Sequence, residues 1–242
     1  MSAWISCFML HSFLLFLEKP PPMKTVRLLF FTGLAFSLTK CSPVHEQQRS
    51  LSQLDRRVQE IKLYAQKNGY STRYCFLLDM RLQSGLKRFF VYDMSNNKVA
   101  FSGLVSHGDC DQNFLKTARF SNTPGSGCTS IGIYKVGRAY YGQYGKTYKL
   151  YGLQETNSNA FNRAIVLHGN TFVPDQESYP KLICNSSGCP MVSFSFLDKL
   201  SSVIDKSPKP VLLWVYDRPP QPMISVPRLR INWPLANLWR RK

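Results

Sequence analysis

Three things are scarce in this sequence. No stretch stays apolar for the roughly 20 residues that cross a bilayer, and the longest such runs, Trp4 to Leu17 and Val26 to Leu38, stop short on either side of Glu18, Lys19 and three prolines. No segment repeats, which excludes a solenoid or propeller array. Acidic side chains are few: 14 Asp plus Glu against 31 Lys plus Arg in 242 residues, a formal charge of +17. Such an excess suits an anionic partner, whether nucleic acid, phospholipid surface or anionic cell wall. A dense basic run is missing from the centre, where 73–206 carries fifteen basic and nine acidic residues, while seven basic residues against one acid crowd 207–242. That distribution argues against a nucleic-acid groove, and no nucleic-acid partner is expected. At 44% hydrophobic, the chain buries an ordinary core and is not a disordered polymer.

Read from Met23, the N-terminal part has the layout of a secretory signal: basic Lys24 and Arg27, an apolar centre, then small residues and Cys41. This reading makes Met23 the functional start and 1–41 an extension plus signal. Cys41 is a candidate for acylation and membrane anchoring, although Lys40 before it fits that poorly. Export would turn most of the seven cysteines (7, 41, 75, 110, 128, 184 and 189) into disulfide candidates. Setting aside Cys7 and Cys41 leaves an odd number, so one thiol needs another job or a burial site.

Leu51, Leu54, Val58, Ile61 and Ala65 recur at intervals of three and four, the spacing of one helix face, and Gly69 stops it. A helix over 46–68 is therefore expected, within an N-terminal helix and linker at 42–72. Strand-like runs follow at 73–80, 87–94 and 99–105, separated by Ser84-Gly85 and the SNNK turn, and read as a β-meander. Further strands are expected at 131–142, 146–153, 163–169 and 210–217, and a short helix at 193–205. Residues 170–181 read as a disordered-looking insert. Residues 218–242, rich in Pro and Arg, read as an irregular tail.

The chemistry concentrates in NSSGCPM at 185–191. Small residues ahead of Cys189 let the backbone turn sharply, and leave the Gly188 and Cys189 amides facing outward as an oxyanion hole. A thiol needs a base or a cation to ionise, and His168, ending an apolar run 21 residues earlier, is the candidate base. Spacing alone equally allows a buried or disulfide-bonded Cys189. One alternative is a non-catalytic wall-binding module stapled by Cys184 and Cys189. Another is a metal site drawing on His107, Cys110, Cys128, His168, Cys184 and Cys189; it lacks the two tight ligand pairs of a structural zinc site, so no metal or other cofactor is expected. Nearby tyrosines (140, 141, 144, 148 and 151) read mostly as strand packing, with a few lining a groove.

Five blocks taken together, LVSHGDC (104–110), TARFSNTPGSGCTSIGIYKVG (117–137), YYGQYGKTYKLYGLQ (140–154), RAIVLHG (163–169) and SSGCP (186–190), resemble the murein L,D-transpeptidase catalytic domain across 73–217. The resemblance implies a mainly β barrel or sandwich with an N-terminal helix and a short helix after the catalytic Cys. It further implies that Cys189 is the acylated nucleophile, His168 the general base and Gly169 the carbonyl that orients the imidazole. Ser186, Ser187 and Gly188 would shape the turn and oxyanion site, and His107 would either shape the cleft or serve as a hydrogen-bonded structural histidine. Ser187 replaces the histidine of the best-known branch, and Pro190-Met191 stands where that branch has an arginine, so the Gly-Cys-Pro branch fits better. The implied substrates are peptidoglycan stem peptides, crosslinked or trimmed in the periplasm or cell envelope.

Overall fold

The computed structural model describes residues 43–218, so the signal segment, Cys7, Cys41, the side chain of Leu51 and the tail beyond Arg218 lie outside the described residues. The elements run α1 (Pro43–Asn68), β1 (Tyr74–Asp79), β2 (Phe89–Asp93), β3 (Lys98–Gly103), β4 (Gly132–Gly142), β5 (Gly145–Gly152), a single 3-10 turn (Glu155–Asn157), β6 (Val166–Gly169), β7 (Met191–Val192), α2 (Phe194–Ile204) and β8 (Leu212–Tyr216). The strands form one sheet in the order β3-β2-β1-β8-β4-β5-β6-β7. Pairing is antiparallel except at β1–β8 and β6–β7.

Alternation along the strands divides their side chains between two apolar layers. Phe76, Leu78, Phe89, Val91, Tyr134, Val136, Leu150, Leu167, Leu213 and Val215 face one layer, which α2 fills with Phe196, Leu197 and Leu200. Cys75, Leu77, Phe90, Tyr92, Ile133 and Leu212 face the other, which α1 covers with Leu54, Val58, Ile61 and Ala65. The helical spacing read from the sequence is thus the buried stripe of α1.

The sheet rolls around α2. Phe196 meets Phe89 and Phe101 edge-on at 5.3 and 5.9 Å, and a Cβ on Gly103 in β3 would sit 2.7 Å from its ring. At the opposite edge, a Cβ on Gly169 in β6 would sit 2.4 Å from Phe194. Glycine is needed at both positions because the helix lies directly on the strand backbone. Closure is completed by backbone bonds between the segment leaving β3 and the segment entering β7: Ser106 N–H to Met191 O at 2.9 Å, Ser186 N–H to His107 O at 2.9 Å and Asp109 N–H to Ser186 O at 2.7 Å. The mainly β, barrel-like architecture with its two helices is the expected one.

One segment departs from expectation. Residues 170–181 are pinned rather than disordered: Ser178 and Tyr179 donate backbone N–H to Gly85 O, Lys87 N–H bonds the Glu177 carboxylate, and Val173 is buried with Leu104, Ile183 and Met191. The polar composition that suggested disorder instead supplies these loop-to-loop bonds. Among the described residues no helix is long and apolar enough to cross a membrane.

If α1 is an integral layer, Ile61→Ala, at a position 0% exposed, will cost about 2–4 kcal/mol in urea unfolding. Leu63→Ala, on the same helix and 58% exposed, will stay within about 0.5 kcal/mol of the parent.

Candidate active site

Parallel pairing of His168 with Met191 joins β6 to β7 and fixes where the turn before β7 delivers Cys189. The Val166 N–H donates to Cys189 Sγ at 3.4 Å, and Ala164 O lies 3.9 Å from the same sulfur. Because side chains alternate along a strand, Val166 and His168 share one face of β6, and the sulfur lies one strand across and two residues back from the imidazole. His168 is 2% exposed. Its Nδ1–H donates to Gly169 O at 3.0 Å, which leaves Nε2 as the unprotonated nitrogen of the neutral ring. Tyr144, from the β4–β5 turn, roofs that ring at 4.2 Å between centroids while itself 44% exposed. No hydrogen bond joins imidazole and sulfur.

Cys189 is a half-buried free thiol. Burial pushes its pKa up, against smaller downward pulls from the Val166 amide and the Arg163 guanidinium. Burial pushes the pKa of His168 down, partly offset by the bond to Gly169. Both shifts favour the neutral forms of thiol and imidazole.

The turn is built from several constraints at once. Gly188 has φ +107°, and a Cβ there would meet Cys128 O at 2.7 Å, so only glycine fits. Ser186 Oγ donates to Cys189 O at 2.6 Å and accepts the Gly188 N–H at 3.2 Å. The Gly188 amide, expected to face a reacting carbonyl, is thus occupied. The Cys189 N–H has no partner among the described residues and is the donor left for that task. Ser187 lies exposed on the outside of the turn.

The disulfide joins Cys110 to Cys128, and Cys75, Cys184 and Cys189 are thiols. The Cys184–Cys189 staple of the non-catalytic alternative is therefore not formed. Among the described residues, no group of three or more His, Cys, Asp and Glu side chains is arranged to hold a metal ion.

His107 lies beneath the turn and is 1% exposed. Its Nδ1 accepts from Arg88 at 2.9 Å and its Nε2–H donates to Leu115 O at 3.0 Å. Both ring nitrogens of this buried imidazole thus have protein partners. Arg163 is the residue that the sequence reading missed. Its guanidinium donates to Ser121 O at 2.8 Å and Cys128 O at 2.5 Å, against the back of the Cys189 turn. It stands five residues before His168 in the RAIVLHG block, but only the fold shows that its side chain turns toward the sulfur.

The model for the L,D-transpeptidase catalytic domain matches residues 45–216. No curated protein sequence matches the chain. Among solved structures, the chain is similar to the helical cell shape determining protein Pgp2 from Campylobacter jejuni, at 14% identity over 60% of this chain and 48% of that one, with a TM-score of 0.39. For Bd1075 from Bdellovibrio bacteriovorus the values are 17%, 62%, 49% and 0.40. For the L,D-transpeptidase from Xylanimonas cellulosilytica they are 16%, 64%, 68% and 0.34. The chain spans about half the length of the first two.

Burial holds His107 neutral by pulling its pKa down to about 4, with the nearby Arg88 charge acting the same way. An unfolded His titrates near 6.5, so as pH falls below that value the unfolded chain takes up a proton that the fold refuses. Stability will drop by on the order of 3 kcal/mol between about pH 6.5 and 4. Thermal unfolding against pH will show this slope, and His107→Gln will flatten it whatever its stability at neutral pH.

Proposed function

Since the chain belongs to the L,D-transpeptidase catalytic-domain family, we propose that it is a cysteine acyltransferase of peptidoglycan stem peptides, with Cys189 as nucleophile and His168 as general base. The observation that carries this reading is Cys189 Sγ, an unpaired thiol held by the Val166 amide beside His168, whose other ring nitrogen is tied to Gly169 O. The disulfide at Cys110–Cys128 supports it by leaving Cys189 unpaired.

On this reading His168 Nε2 takes the thiol proton as the sulfur attacks the carbonyl of a stem-peptide diamino acid. The developing oxyanion meets the Cys189 N–H. Collapse breaks the bond to the terminal D-Ala, whose amine receives the proton from the imidazolium, and leaves a thioester on Cys189. The side-chain amine of a second stem then attacks the thioester, giving up its proton through His168 and restoring the thiol. Water in place of that amine yields a trimmed stem. Hydrogen bonds of catalytic groups are often long or absent before substrate arrives, which accommodates the missing imidazole–sulfur bond. The proposed setting is the periplasm or cell envelope, where an oxidising environment preserves the Cys110–Cys128 bridge.

The test is acylation by a carbapenem, followed by mass spectrometry. The adduct will map to Cys189, will be absent in Cys189→Ala, and will form roughly 100-fold more slowly in His168→Gln. Its rate will climb from neutral into alkaline pH, because a thiol pushed up by burial gains thiolate only there while His168 is already deprotonated. An unmodified Cys189 in folded protein, or an adduct on Cys184, sinks the assignment.

A further inference from the structure

Arg163 holds a charge that nothing around it cancels. Its two hydrogen bonds go to the neutral carbonyls of Ser121 and Cys128, and the two ion pairs among the described residues, Arg81–Asp79 and Lys146–Asp205, do not include it. A half-buried cation without a carboxylate is costly unless an anion forms nearby. Two ionisable groups act on it, and burial pushes the Tyr134 hydroxyl up to about 12, which leaves the Cys189 thiol as the group able to supply one. A Cβ on Gly188 would lie 3.2 Å from the guanidinium, so the cation presses on the residue immediately before the nucleophile. Ala164, next to Arg163, adopts φ +54°, a conformation that non-glycine residues avoid and that recurs at functional sites. That kink lets Ala164 O and the Val166 N–H wrap the sulfur while Arg163 reaches behind it.

We infer that Arg163 is a positioning residue that provides the counter-charge for the Cys189 thiolate, fixed in place by the carbonyl of Cys128 and hence by the Cys110–Cys128 bridge. The inference rests on Cys189 being the nucleophile. A nearby cation holds a thiol pKa down, so its removal has a readout independent of any wall substrate. The rate of Cys189 alkylation by iodoacetamide is measured against pH, with the peptide identified by mass spectrometry and folding followed by thermal unfolding. Arg163→Met will move the midpoint up by about one unit, a loss of about tenfold in rate at neutral pH, and Arg163→Lys will recover part of it. Cys110→Ser with Cys128→Ser will shift the midpoint in the same direction by less. An unchanged midpoint in folded Arg163→Met overturns the inference; should that variant not fold, an unchanged midpoint in the double serine variant does so. A midpoint that shifts in a protein no carbapenem acylates leaves this pairing standing and removes the transpeptidase reading instead.

Discussion

The site depends first on a few backbone hydrogen bonds between two irregular segments, 106–109 and 186–191. Neither segment is a long strand, yet their pairing joins the two ends of the rolled sheet and sets the height at which the Cys189 turn emerges. Once Ser186 is locked to His107 and Asp109, and Met191 to Ser106, the four intervening residues have little freedom. Gly188 then has to take a positive φ against Cys128 O, and Cys189 has to lean toward Val166. Buried His107, held between Arg88 and Leu115, makes the lower segment rigid enough to serve as the template.

Several of these features were legible in the sequence, for reasons that can be named. Continuous apolar runs in 73–80, 87–94 and 210–217 stand out because both faces of their strands are buried, and α1 stands out because one of its faces is not. Cys189 and His168 stood out as candidates by residue type and neighbours, since small residues before a cysteine and a histidine ending an apolar run each carry local chemistry, while their roles were implied by the resemblance of the five blocks. The rest was hidden by locality. β7 is only Met191–Val192, too short for any periodicity. Arg163 looks like any arginine until Ala164 turns the chain, and Cys110 with Cys128 could not be told from the other cysteine pairings by spacing alone. Tyr144 became a roof over the imidazole only because the hairpin between β4 and β5 folds over β6.

The same locality explains the misread loop. Residues 170–181 hold few apolar side chains, and composition cannot reveal that Gly85 offers a carbonyl to two successive amides. A Cβ on Gly85 would meet the Lys181 carbonyl at 2.2 Å, so the order of the loop depends on a side chain being absent some ninety residues earlier.

Electrostatics decides how the proposed chemistry starts. With Cys189 pushed up and His168 pulled down by the same burial, proton transfer between them creates two charges where none existed. In a largely desolvated site that step is uphill unless fixed groups meet the new charges as they form. The thiolate side has the Val166 N–H and the Arg163 field, and the imidazolium side has Gly169 O and the face of Tyr144. These groups are held by backbone bonds or ring packing rather than by flexible surface contacts, so they need little rearrangement during the reaction. A site arranged this way keeps its sulfur protonated and less reactive until a substrate carbonyl is in place, and its selectivity then derives from the geometry that brings sulfur, imidazole and carbonyl together rather than from a permanently charged nucleophile.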